Sequence, residues 1–298
     1  MNDLTAPAPL PTGPMPFTRL LDEAMRLVRR HFRAMYPPVA IPLGLLATVT
    51  AVLQALWIQR MTTEIGTATQ LMSSCGTIVL SFVQIFVIVV ASMALQKAAV
   101  DALAGRTIDM KGAWRFAVQG NVLGTLVLQG FAIMGSILAC IVPVLYVAPL
   151  LSLVPPIMAA ESVFGGSALS RSAELTRYNP QRRFLDYPMV KALGLMIVTA
   201  VISYSVVLVV AIPFQLLAGV DFFRQTATGV EPAMAKWFWL QVPSQILQSL
   251  VTVAVYAYSS FGYTLLFLDT RSRKEGADLA AEIDTVFGPG RPAGEPAP

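Results

Sequence analysis

The chain has 298 residues, 55% of them hydrophobic and only 13% charged, with a mean hydropathy of +0.65. Soluble domains carry about 25% charged residues, so this composition lies outside their usual range and points to a membrane protein. The formal charge of +4 and the pI near 9.2 do not imply nucleic acid as a partner, because an excess of Lys and Arg in a membrane protein follows from the positive-inside rule.

Residues 1–16 (MNDLTAPAPLPTGPMP) contain no apolar h-region and read as a disordered, Pro-rich leader rather than a signal peptide. The first span is then expected to act as an uncleaved insertion signal. From Phe17 to Tyr36, apolar residues recur at helical spacing as Phe17, Leu20, Leu21, Ala24, Leu27, Val28, Phe32 and Met35, while Arg19, Arg26, Arg29, Arg30 and Arg33 fill much of the remainder. Such a helix suits either the headgroup layer beside anionic lipid or the end of the bundle.

Charge-free stretches follow, and they place spans near 39–58, 77–96, 121–141, 143–160, 193–218 and 242–268. The longest, Phe116 to Ala160, holds 45 residues without Asp, Glu, Lys, Arg or His. One helix of that length would measure about 68 Å, against a hydrocarbon core of about 30 Å. The stretch must therefore cross twice, and Pro143 in Cys140-Ile-Val-Pro143 is the expected turn. Pro149, Pro155 and Pro156 are expected to bend or break the fourth span. With both termini inside, 18 of the 21 basic residues fall on the inner side, leaving only Arg60, Arg224 and Lys236 outside. A single pass over 116–160 would abolish that bias. The fold class expected is all-α, a polytopic membrane bundle of six transmembrane helices with cytoplasmic interfacial helices. The domain itself should cover 17–280, followed by a cytoplasmic tail over 281–298 that is Pro- and Gly-rich at its end.

The inner segments carry helix punctuation. Gly105 is a good C-terminal cap for a second span continuing to Ala104, and Asp109 can cap a short helix bearing Trp114 and Phe116. In the segment that runs through Gly165-Gly166, residues Val163, Phe164, Ala168, Leu169, Ser172 and Leu175 share one helical side. Within the membrane, Gly120-x-x-x-Gly124 is expected to permit close helix approach. Gln84, Gln129, Gln215, Gln245 and Gln248, with Tyr204 and Tyr256, are candidates to line a polar cavity. Cys75 and Cys140, near the outer ends of spans two and three, are either bridged or two apolar thiols.

Three segments resemble the membrane domain associated with glycerophosphoryl diester phosphodiesterases. They are Glu161 with Ala168-Leu-Ser-Arg-Ser-Ala-Glu-Leu-Thr176, then Leu268-Asp-Thr-Arg-Ser-Arg-Lys-Glu-Gly-Ala-Asp-Leu279, and the opening helix Leu21 to Phe32. The chain departs from that pattern at Ala277, where an aromatic is usual, and at Asn179, where glycine is common. The resemblance covers residues 17 to about 280 and implies a six-helix integral membrane domain. It does not carry phosphodiesterase activity with it, because that reaction needs a soluble barrel of roughly 250 residues with metal-binding carboxylates and histidines. The single histidine, His31, lies on the basic helix, and no His/Cys/carboxylate cluster at metal spacing stands out.

Glu161, Arg171, Ser172, Glu174, Asp269, Arg271, Arg273 and Glu275 are the candidate site residues. They form a charged layer at the cytoplasmic interface, where the first span pair's long apolar neighbour, the proline-broken hairpin, is hung. Paired, the charges would tie interfacial helices to the ends of spans four and six. Alternatively Arg171, Arg271 and Arg273 form a cradle for a lipid phosphate. No catalytic residue, metal or cofactor is expected. The functional expectation is a non-enzymatic protein of the bacterial inner membrane that binds or organises membrane lipid, alone or with a protein partner. The alternatives are a transporter of lipid or a small amphiphile, and a structural accessory subunit.

Overall fold

The structure, a computed structural model, describes residues 15–63, 67–139, 141–177, 186–227 and 234–287. Ten helices follow in order: α1 Phe17–Met35, α2 Pro37–Thr63, α3 Thr67–Leu103, α4 Met110–Ala117, α5 Gly120–Ala139, α6 Ile141–Leu151, α7 Val154–Glu161, α8 Gly166–Arg177, α9 Pro188–Ala227 and α10 Met234–Phe287. Among the described residues, six stretches are long and apolar enough to cross a bilayer: Pro37–Trp57, Ile78–Leu103, Gly120–Ala139, Pro143–Glu161, Pro188–Leu217 and Val242–Lys274. The protein is thus an all-α, multi-pass helical bundle. Leu45, Phe82, Phe131, Leu138 and Val209 all point outward, a display of large apolar side chains that a water-soluble surface does not sustain.

The core forms around α10 and α3. Leu20, Ala24, Val28 and Met35 of α1 bury their stripe against Tyr258, Phe261 and Leu265 of α10 and Leu95 and Ala98 of α3. The spacing of that stripe is what makes α1 a helix with one buried face, and Arg19, Arg26, Arg29, Arg30 and Arg33 are all exposed on the other. Pro37 and Pro38 open α2, a position where a missing N–H costs nothing. A second cluster joins Val90, Met93 and Ala94 of α3 to Val122 of α5, Val154 and Met158 of α7 and Ala168 of α8.

Helix ends follow local chemistry. Gly105 takes φ +69° just after α3, and the Asp109 carboxylate accepts from Lys111 N at 3.1 Å to start α4. Ser162 ends α7 at φ 54° and Gly165 follows at φ 68°. Glycine permits close approach between helices at Gly194, where a Cβ would lie 2.9 Å from the Phe17 ring, and at Gly262, where one would lie 2.9 Å from Leu195.

Several expectations are corrected. Helix α5 ends at Ala139 and α6 begins at Ile141, so Pro143 sits inside the first turn of α6 rather than between helices. The break expected of the fourth span is present, at Ser152-Leu153, with Pro155 and Pro156 in the first turn of α7. Met15, expected in a disordered leader, is buried and hydrogen-bonded, while residues 1–14 lie outside the described ones. The helix of the last span continues to Phe287, and 288–298 lie outside the described residues. Asn179 and Cys140 do too, so the pairing of Cys75 is not among the described contacts. Gly120, Gly124, Gly130 and Gly135 face open space. The glycine spacing of the third span therefore packs against no helix among the described residues.

Candidate functional site

Charged residues from distant parts of the chain meet at one end of the bundle. Lys191, in the first turn of α9, has a side chain only 1% exposed, and Asp269 of α10 is 4% exposed. A lysine there sits at the positive end of the helix dipole, so its burial requires strong acceptors. It has two: Nζ donates to Asp269 Oδ2 at 3.2 Å and to the Met15 carbonyl at 2.6 Å. Asp269 Oδ1 in turn accepts from Met15 N at 3.1 Å and from Arg273 Nε at 3.0 Å. One carboxylate thereby joins the segment before α1, the start of α9 and the end of the last span.

A second network ties the broken span to α8 and α10. Glu161, the last residue of α7, has Oε2 3.5 Å from Arg171 Nε and Oε1 3.7 Å from Arg271 Nη1. Arg171 Nη1 lies 3.5 Å from Glu174 Oε2, and Lys274 donates to the other oxygen of Glu174. That bond from Lys274 is the main reason the half-exposed Glu174 carboxyl is held below the ordinary carboxylate value.

Two carbonyls at the break in the fourth span have side-chain donors. Pro155 has no N–H for the Leu151 carbonyl, and Gln129 of α5 donates to it at 3.0 Å instead. The Leu150 carbonyl, left over where α6 ends, accepts from Ser172 Oγ at 2.7 Å and Thr176 Oγ1 at 3.3 Å. Thr125 Oγ1 accepts from Gly165 N at 2.7 Å, fixing the turn into α8.

Of the residues singled out from sequence, Glu161, Arg171, Glu174 and Arg271 come together, and Ser172 is buried on the end of α6. Asp269 and Arg273 join a neighbouring network on α10. The three arginines do not converge on one point: Arg171 and Arg271 face Glu161, and Arg273 faces Asp269. Glu275 lies on α10 with its side chain outside the described ones. Lys191 was missed, although a lysine in the first turn of a helix, just before an apolar run, is itself a signal that a carboxylate is near. Among the described residues, no three His, Cys, Asp or Glu side chains converge as metal ligands.

Two of the cavities among the described residues lie along the spans. One, about 370 Å³, is a half-open cavity between α2, α3, α9 and α10, lined by Gln54, Gln84, Gln245, Gln248, Thr252 and Tyr256, among others. Four of the seven residues expected to line a polar cavity are there. The other three are elsewhere: Gln129 is committed to Leu151, and Gln215 and Tyr204 are exposed on α9. The other cavity, about 490 Å³, is an apolar groove between α1, α9 and α10. Met25, Phe32, Ile202, Val206 and Tyr258 line it, and Arg29 is the one charged residue among its described lining.

No protein-family model, no curated protein and no solved structure matches this chain.

Proposed function

We propose that this chain is a non-enzymatic protein of the bacterial cytoplasmic membrane that binds and organises anionic phospholipid, with both termini in the cytoplasm. The observation that carries the reading is the apolar groove under α1. Its walls suit an acyl chain, and the one charged residue among its described lining, Arg29, is flanked on α1 by the exposed Arg26, Arg30 and Arg33. Apolar area for the tail and guanidinium groups for the phosphate are the two terms by which an amphipathic helix holds anionic lipid. The distribution of 18 of 21 basic residues supports the orientation. It also agrees with Met15, Glu161, Lys191 and Asp269 meeting at one end of the bundle. The charged layer itself is assigned to holding α1, α8, α9 and α10 in place, since its arginines face carboxylates. The three segments around Leu21, Ala168 and Leu268 support kinship with the membrane domain associated with glycerophosphoryl diester phosphodiesterases.

Native mass spectrometry of the protein released from mild detergent tests this reading. Phosphatidylglycerol should be retained over phosphatidylcholine. Arg29→Gln should reduce that preference, and Ala254→Trp, which fills the groove, should remove bound lipid of both kinds. Retention unchanged in both variants would sink the proposal.

A further inference from the structure

The amide-lined cavity has no part in the lipid reading, and its chemistry is different. We infer that it is a binding site for an uncharged, hydroxyl-rich group of about the size of a sugar or cyclic polyol. The cavity is bounded by membrane-spanning parts of α2, α3, α9 and α10 and is separate from the charged layer: its lining on α10 runs from Gln245 to Tyr256, roughly 36 to 20 Å of helix before Asp269. Four glutamines with Ser249, Thr252 and Tyr256 gather there. Such a concentration is costly in hydrocarbon unless each group finds a partner.

The bonds present account for only part of that capacity. Gln245 Nε2 donates to Gln54 Oε1 at the long distance of 3.5 Å, and Gln248 Nε2 donates to Ser244 Oγ at 3.0 Å. Each primary amide offers two donors and two acceptor lone pairs, so the walls can both donate to and accept from a guest. Hydroxyl groups match that dual character, whereas a purely apolar guest would strand the amides. A charged guest is disfavoured for the opposite reason, because none of the described lining residues carries a charge to compensate it. The volume of about 370 Å³ falls within the range of about 300–1,000 Å³ typical of small-molecule sites. It is many times the roughly 30 Å³ share of one water. Leu43, Leu46 and Ile88 supply apolar wall beside the amides, as the ring face of a sugar requires.

The same hydroxyl chemistry is offered by a free sugar and by the headgroup of a glycolipid, and the test separates them. The full chain is purified in lauryldimethylamine oxide, which has no sugar headgroup. Radiolabelled glucose binding is measured by equilibrium dialysis, and retention of monoglucosyl diacylglycerol, against diacylglycerol, by native mass spectrometry. Binding of either sugar-bearing probe supports the site, and which one binds identifies the source. Gln84→Leu and Gln248→Leu should each weaken binding about tenfold. Leu46→Trp, which fills the space while keeping every amide, should abolish it. Arg29→Gln should leave it unchanged, so a failure of the lipid groove and a failure of this site are distinguishable. Absence of binding by both probes would overturn the inference and leave a hydrated cavity only. Binding that survives Leu46→Trp and both Gln→Leu changes would overturn it too.

Discussion

Lys191 Nζ lies 3.2 Å from Asp269 Oδ2, and both side chains are almost wholly withdrawn from solvent. The pair is 78 residues apart in the chain and joins the first turn of α9 to the end of the last span. Because the same ammonium and carboxylate also hold the backbone of Met15, they set where α1 begins. The basic face of α1 and the groove beneath it are thereby fixed relative to α9 and α10. Function at the groove, as proposed, rests on this junction.

Removing one member of such a pair should cost far more than removing both. Asp269→Ala leaves the ammonium of Lys191 buried without its carboxylate, a loss of about 3–5 kcal/mol. The double variant Lys191→Met with Asp269→Leu replaces the pair by apolar volume and should be clearly more stable than Asp269→Ala alone. Thermal unfolding in detergent measures both. Equal losses in the two variants would show that the pair adds nothing beyond side-chain bulk.

The hairpin of α5 to α7 gives a second test. Gln129→Leu strands the Leu151 carbonyl in an apolar setting, and Ser172→Ala weakens the cap on Leu150. Each should cost about 1–3 kcal/mol. Gln119, at the start of the same span, has no such carbonyl to serve, and Gln119→Leu should change stability by under about 0.5 kcal/mol. If Gln129→Leu and Gln119→Leu behave alike, the repair of the broken span by Gln129 is not what stabilises it.

Much of this architecture was legible in the chain because it depends on local signals. Charge-free length marks the spans, Asp109 caps α4, and the buried stripe of α1 is a periodicity. The prolines announced a broken fourth span, since a missing N–H frees a carbonyl wherever it occurs. What proline chemistry does not specify is the donor that answers it, and Gln129 was assigned to a cavity instead. Lys191 and Asp269 were each visible as charged residues, but a pairing across 78 positions has no local pattern. The same holds for the cavity: glutamine content pointed to it, while only packing decides that Gln215 turns outward and Gln54 inward.

His31 is the only histidine, and it stacks on Phe261 with ring centroids 6.0 Å apart. Burial, and then the charge of Arg30, hold its imidazole below the ordinary value of 6.5. The unfolded chain therefore takes up this proton more readily than the folded one. Stability should be flat above pH 6.5 and fall as pH drops from there through the lowered folded value. Replacing His31 with Phe keeps the stack and removes the titration. A melting temperature that declines equally between pH 7 and pH 5 in wild type and His31→Phe would exclude His31 as the cause.

Glycines of the bundle divide into two groups that should respond oppositely to a methyl group. On α5, an added Cβ at Gly124 or Gly130 meets nothing, and Gly in a helix interior is disfavoured by about 0.8–1.0 kcal/mol relative to Ala. Gly124→Ala and Gly130→Ala should therefore be neutral or stabilising. At Gly194 and Gly262 the new Cβ would come within 2.9 Å of Phe17 and Leu195, closer than carbon atoms pack, and the side chains must shift. Overpacking of that kind costs about 1–3 kcal/mol, which outweighs the helix-propensity gain. Unfolding measurements on the four single variants should thus separate α5 from α9 and α10. Destabilisation at Gly124 in detergent, equal to that at Gly194, would mean that the open face of α5 is covered in the protein, by another segment or by a second chain.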